Sequence, residues 1–169
     1  MRLRVAILVV SDRSARGERE DASGPALARR VAAQGWLVTV QQIVPDELEA
    51  ISERLIDWAG SDAADVCLTT GGTGFAARDI TPEATLTVID KEAPGLTEAM
   101  RASSLQISAH AMLSRARAGI RGRLLIVNLP GSPRAAVENL EVILPALEHA
   151  VQLLRGSPEA ESGHAQGAV

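Results

Sequence analysis

Aromatic side chains are scarce: the 169-residue chain has one Phe, two Trp and no Tyr. It therefore offers no row of ring faces on which the bases of a single-stranded nucleic acid could stack. Cysteine occurs once, as Cys67, which excludes an internal disulfide or a cysteine-rich zinc site and leaves core packing as its expected role. His110, His149 and His164 share no metal-ligand spacing with each other or with Cys67, so zinc binding and a Cys–His nucleophile both find poor support. Lysine is represented by Lys91 alone. No apolar run reaches the ~18 residues of a membrane helix, and the first residues lack a secretory pattern. The expected setting is the cytoplasm, with no membrane partner. Positive charge is also in deficit, with 17 Lys+Arg against 21 Asp+Glu and a net charge of −4, which argues against a nucleic-acid partner.

Hydrophobic residues make up 46% and charged residues 22%, a globular composition sized for one domain. We expect that domain over 1–155, followed by a small, polar, disordered tail over 156–169. Arg4–Val10, Leu37–Val44, Val66–Thr70 and Leu124–Leu129 are short apolar runs rich in β-branched residues. Such runs fit strands buried on both faces. Leu48, Ile51, Leu55 and Trp58 mark one face of a helix. Val137, Leu140, Leu144, Leu147, Val151 and Leu154 mark another, which Pro145 should kink or split. Ser114–Gly122 is expected to add an irregular or antiparallel segment. Strands alternating with helices predict a three-layer α/β/α sandwich with a mostly parallel central sheet.

In such sheets ligands gather beyond the carboxyl ends of the strands, and three of the predicted strands run there into distinctive loops. The first continues into Ser11-Asp12-Arg13, the third into Thr70-Gly71-Gly72-Thr73-Gly74 with Arg78-Asp79 beyond, and the fourth into Pro130-Gly131-Ser132-Pro133. Glycines admit positive φ and let backbone amides approach an anion. The alternative for Gly71–Gly74 is a plain tight turn. Asp79 could hold Mg²⁺ beside bound phosphates, or pair with Arg78 or brace the loop. It precedes Thr81-Pro82, which reads as a helix cap followed by proline at the first helical position. Asp46 and Glu49 have the spacing of a capping pair, a role compatible with facing the ligand crevice. Residues 99–137 carry six arginines and no acid. That stretch could form a basic lip for a small polyanion or a merely solvated face.

Taken together, LVVSDR (8–13), VPDE (44–47), LTTGGTGFAARDITPEAT (68–85), APGLTEAMR (93–101), LSR (113–115) and LPGSP (129–133) resemble the molybdopterin adenylyltransferase (MogA/MoaB-like) family. The resemblance implies that family's fold, trimeric and in some members hexameric, and transfer of AMP from Mg-ATP to the terminal phosphate of molybdopterin. It implies catalytic and Mg²⁺-holding roles for Asp46 and Asp79. Pterin and phosphate contacts are implied for Ser11, Asp12, Gly71, Gly72, Thr73, Gly74, Glu98, Met100, Ser104, Ser114, Arg115 and Gly131. It also implies molybdopterin and ATP as substrates and a metal-inserting enzyme of the same pathway as a partner. A non-catalytic molybdopterin-binding or scaffold protein of the same fold is the alternative.

Overall fold

The computed structural model describes residues 1–157; the tail expected over 156–169 lies almost wholly outside the described residues. The chain runs β1 (Arg4–Val10), α1 (Asp12–Ala15), α2 (Ser23–Ala33), β2 (Leu37–Val44), α3 (Leu48–Gly60), β3 (Val66–Thr70) and α4 (Thr81–Val88). It continues through β4 (Lys91–Glu92), α5 (Pro94–Leu105), a 3-10 turn (Ala109–Leu113), β5 (Ala118–Arg121), β6 (Leu124–Leu129) and α6 (Pro133–Leu154). The strands form one sheet in the order β2-β1-β3-β6-β5-β4. The first four are mutually parallel, while β5 runs antiparallel to both β6 and β4.

Strand alternation divides the core into two layers. Val5, Ile7, Val9, Leu68 and Val127 point to one face and meet Leu27 and Val31 of α2, Met100 of α5, and Leu140 and Leu147 of α6. Ala6, Leu8, Val10, Cys67 and Ile126 point to the other and meet Ile51, Leu55 and Trp58 of α3 and Ala84 and Val88 of α4. This is the expected sandwich. Cys67 is fully buried, and burial pushes its thiol well above the ordinary value, so it packs rather than reacts.

Two expectations, a β2 buried on both faces and a split of α6 at Pro145, fail for reasons of position. β2 is the edge strand, and its residues alternate between exposed and half-buried until Val44, which alone is buried. Its apolar run therefore does not mark burial on both faces. α6 continues unbroken through Pro145. The missing N–H would have bonded the Glu141 carbonyl, and both residues lie on the exposed side, where water can satisfy that carbonyl. The antiparallel segment expected near Ser114–Gly122 is β5. Among the described residues, no helix is long and apolar enough to cross a membrane.

Candidate functional site

The chain leaves β1 to build β2 on one side and β3 on the other. A topological switch point therefore lies between the carboxyl ends of β1 and β3, where such sheets open a crevice. A cleft of about 440 Å³ occupies this position, lined by Ser11, Asp46, Gly71, Gly72, Asp79 and Gly131, among others. Arg19, Asp21 and the start of α6 at Ser132-Pro133 complete its wall.

Backbone geometry explains the glycines. Gly71 and Gly72 have φ of 102° and 64°, a region that side-chain-bearing residues rarely occupy. A Cβ on Gly71 would run into the Val10 carbonyl oxygen, and one on Gly72 into the Thr81 hydroxyl. Every carbonyl of the loop is turned back into the protein. Thr81 Oγ1 donates to Gly71 O at 2.8 Å, and Thr81 N donates to Gly72 O at 3.1 Å. Arg115 N donates to Thr73 O at 2.9 Å, and Arg115 Nε to Gly74 O at 2.7 Å. Among the described residues, the Gly72, Thr73 and Gly74 amides have no protein acceptor. Engaged carbonyls and free amides make an anion cradle.

The acids do not behave as local caps. The Asp46 carboxylate accepts from Asp12 N at 2.7 Å, and the Asp12 carboxylate accepts from Asp46 N at 3.0 Å. This reciprocal pair ties the loop after β1 to the loop after β2. The residue at the N-cap of α3 is Glu47, without a side-chain cap, so the Asp46–Glu49 capping pair is not formed. Similarly, Thr81 is not the cap of α4, whose N-cap is Ile80; its hydroxyl instead locks the glycine loop. Arg78 pairs with Asp12, not Asp79, through two hydrogen bonds of 2.9 Å. Asp79 Oδ2 accepts from Ala76 N at 2.9 Å, so it does brace the loop.

Electrostatics follow this wiring. The Arg78 guanidinium beside Asp12 holds its carboxyl below the ordinary value, despite some desolvation. Burial pushes Asp46 above the ordinary value, with the negative charges of Asp12 and Asp79 adding to it and the Asp12 N–H opposing. Two acids that repel each other across one cleft favour a cation between them.

A second hollow of about 340 Å³ lies on the other side of the same loop. Its walls are Thr73, Gly74, Ser104, Ser114, Pro130 and residues of α6, with Ile107, Ala111 and Leu113 supplying apolar surface. The turn carrying Pro130 and Gly131 and the glycine loop are thus a wall common to both hollows.

The remaining anticipated residues separate. Arg115 lies in a smaller groove with Glu83 and Leu86. Its guanidinium bonds Glu83 and the Gly74 and Asp79 carbonyls, so it braces the loop from behind. Asp12 lines neither main hollow. Met100 is 2% exposed in the core, and Glu98 is exposed on α5 and lines neither hollow. The arginines of 99–137 do not form one lip. Arg101 and Arg121 donate to backbone carbonyls, Arg117 and Arg134 pair with Glu92 and Glu138, and Arg123 sits at the opposite end of the sheet.

Arg19, Asp21 and Asn128 went unanticipated. Asp21, one residue before the Ala22 N-cap of α2, accepts from Ser23 N and Gly24 N at 2.9 and 3.1 Å. Its spacing ahead of Ser23-Gly24-Pro25 was the available signal. Asn128 is wholly buried on β6, donating to Thr69 Oγ1 and Thr85 Oγ1 and accepting from Arg117 N. It joins β6, β3 and α4 directly beneath the loops, a role no local pattern signals.

Residues 6–149 match the family described as "Probable molybdopterin binding domain". The chain is 42% identical to the molybdopterin adenylyltransferase of Helicobacter pylori J99, over 92% of this chain and 89% of that protein. It is 41% identical to gephyrin of Dictyostelium discoideum over 92% of its own length but spans only 23% of gephyrin. A crystal structure of the molybdopterin biosynthesis enzyme MoaB from Thermus thermophilus is 49% identical, superposes with a TM-score of 0.86 and covers 92% of this chain and 98% of that one.

Proposed function

The chain belongs to the molybdopterin-binding domain family, and we propose that its two adjoining hollows hold the two substrates of one adenylyl transfer. It is a nucleotidyltransferase of molybdenum cofactor biosynthesis, a molybdopterin adenylyltransferase. The observation that carries our reading of the site is the glycine loop, whose carbonyls are all engaged while its amides are free, between an acid-lined cleft and an apolar hollow. The polar cleft suits the ATP phosphates and the apolar hollow suits a pterin ring, with the pterin's terminal phosphate at the wall between them.

In the reaction an oxygen of that phosphate attacks the α-phosphorus of ATP. A new P–O bond forms, the bond to the bridging oxygen breaks, and pyrophosphate leaves with the electron pair. The attacking oxygen is already anionic, so no histidine base or cysteine nucleophile is needed. The protein's work is alignment and charge stabilisation. The loop amides and the start of α6 hold phosphate oxygens. The Asp12–Asp46 pair fixes the relative position of two loops.

The donor set also fits a divalent cation. One Asp46 oxygen accepts from Asp12 N, while the other faces Gly72, 3.1 Å from where a Cβ would lie. Among the described residues no three potential ligands converge, so the protein alone builds no closed cage. Two carboxylates completed by phosphate oxygens and water are the usual Mg²⁺ arrangement. Asp46 and Asp79 would hold the ion, which would neutralise charge on the transferring phosphoryl group.

A homotrimer working in the cytoplasm is the proposed state. Exposed Phe75 and Met112 offer apolar surface for assembly. A metal-inserting enzyme is the proposed consumer of the product.

The test is purified protein with molybdopterin, ATP and Mg²⁺, scored by mass for the AMP-conjugated pterin and by released pyrophosphate. Asp79→Asn keeps an acceptor for Ala76 N and should lose most turnover while still binding molybdopterin. Unchanged turnover removes Asp79 from the mechanism, and binding without pyrophosphate release by the native chain would identify a scaffold instead.

A further inference from the structure

Asn139 lies on the second turn of α6, where its side chain helps to line the apolar hollow. It is 7% exposed, so its hydrogen-bonding groups must be satisfied or kept for a ligand. Its Nδ2 donates to the Ala135 carbonyl at 2.8 Å and to Ser104 Oγ at 3.1 Å. Those bonds use both amide hydrogens. A carbonyl can only accept, so the Ala135 contact also settles which end of the amide is nitrogen.

The geometry leaves two groups over. Among the described residues, Asn139 Oδ1 has no hydrogen-bond partner and is not among the side-chain atoms sealed from solvent. On a residue that lines the hollow, it is an acceptor left open to a ligand. Ser104 Oγ spends a lone pair on Asn139, which leaves its O–H to donate. The wall thus presents an acceptor from α6 beside a donor from α5, and one amide fixes both polarities. Around them Ile107, Ala111 and Leu113 add apolar surface, and a hollow of about 340 Å³ falls within the usual size of small-ligand sites.

We propose that Asn139, with Ser104 oriented by it, reads the lactam edge of the pterin ring, and that Asn139 is a specificity-determining residue for the substrate. This rests on the assignment of the apolar hollow to molybdopterin. The 4-oxo-pyrimidine edge of a pterin places an N–H donor next to a C=O acceptor, the complement of the pair on the wall. A ring whose edge has the reverse order would leave the acceptor and the donor each facing its like. Sites that hydrogen-bond a buried polar edge discriminate far more sharply than apolar pockets do.

The test compares native protein with Asn139→Leu, similar in size but without hydrogen bonding, and with Ser104→Ala. Binding of molybdopterin and of ATP is measured separately. Two competitors are then titrated against molybdopterin: 6-hydroxymethylpterin and its 2,4-diamino counterpart, whose edge is reversed. The native chain should favour the pterin by about tenfold or more, and Asn139→Leu should lose on the order of tenfold in molybdopterin affinity. The preference between competitors should collapse toward one in both variants, while ATP affinity stays within about twofold.

A purely structural tie between α5 and α6 would lower stability without changing that preference. A folded Asn139→Leu that keeps native affinity and preference overturns the proposal. If Asn139→Leu fails to fold, Ser104→Ala decides in the same way. Failure of the native chain to bind molybdopterin overturns instead the assignment of the hollow on which the proposal rests.

Discussion

Single residues in this site answer to several constraints at once. Gly72 combines a positive φ with a Cβ position blocked by the Thr81 hydroxyl and close to an Asp46 oxygen. Gly72→Ala must therefore strain the backbone or displace Thr81, which releases the Gly71 carbonyl into the cradle. We expect a loss of about 1–3 kcal/mol in a denaturant melt and a fall in turnover well beyond that of an alanine on the exposed side of α2. A variant of native stability and rate would show that the loop has no need of its left-handed turn. Arg78 illustrates the opposite lesson, since its chain neighbour is Asp79 but its partner is Asp12 on another loop.

At the scale of elements, the end of the sheet away from the clefts is held by Asp65, where the chain enters β3. It is 2% exposed and accepts from Arg4 N at 2.8 Å and Arg4 Nη2 at 2.9 Å. Arg155, at the end of α6, also pairs with it. One carboxylate thus joins β1, the start of β3 and the long C-terminal helix. Burial alone would push its carboxyl up, but the Arg4 bonds and Arg155 outweigh that and hold it below the ordinary value. Folding therefore favours the ionised form. The stabilisation is present above the unfolded-state pKa and is lost as pH falls through the lower folded one. Asp65→Asn should cost about 3 kcal/mol near pH 7, because it leaves the half-buried Arg4 and the more exposed Arg155 without the buried charge they share. The gap to the native chain in thermal melts should narrow under acid. A gap that stays constant with pH would place the cost in packing rather than charge.

Across the whole molecule, burial is concentrated in the central strands and the clefts lie in the loops beyond their carboxyl ends. β1, β3 and β6 are buried along almost their entire length, whereas β4 has two exposed residues and the 3-10 turn buries none of its side chains. Amide exchange should be slowest in those three central strands and fastest in β4 and the 3-10 turn, because the former open only with global unfolding. Equal protection of β4 and β3 would contradict this division. The arrangement places the clefts where buried strands hand over to loops, so the substrates proposed for them would meet on a rigid base.

Much of this was readable before folding. The apolar runs of β1, β3 and β6 and the periodic face of α6 appear in sequence because burial selects side chains locally. The turn after β3 appears because only glycine tolerates its φ. β2 misled because an edge strand and an inner strand can share one composition, and neighbours alone distinguish them. The roles of Asp46 and Thr81 misled because capping spacing is local while their partners lie 34 and 10 residues away. The sequence by itself determined the layers, the loops and the chemical types placed at the strand ends. Only the tertiary structure decided which acid faces which arginine, and that two hollows share one wall. Hydrogen bonds between distant loops depend on the order of strands in the sheet, and no local spacing encodes that order.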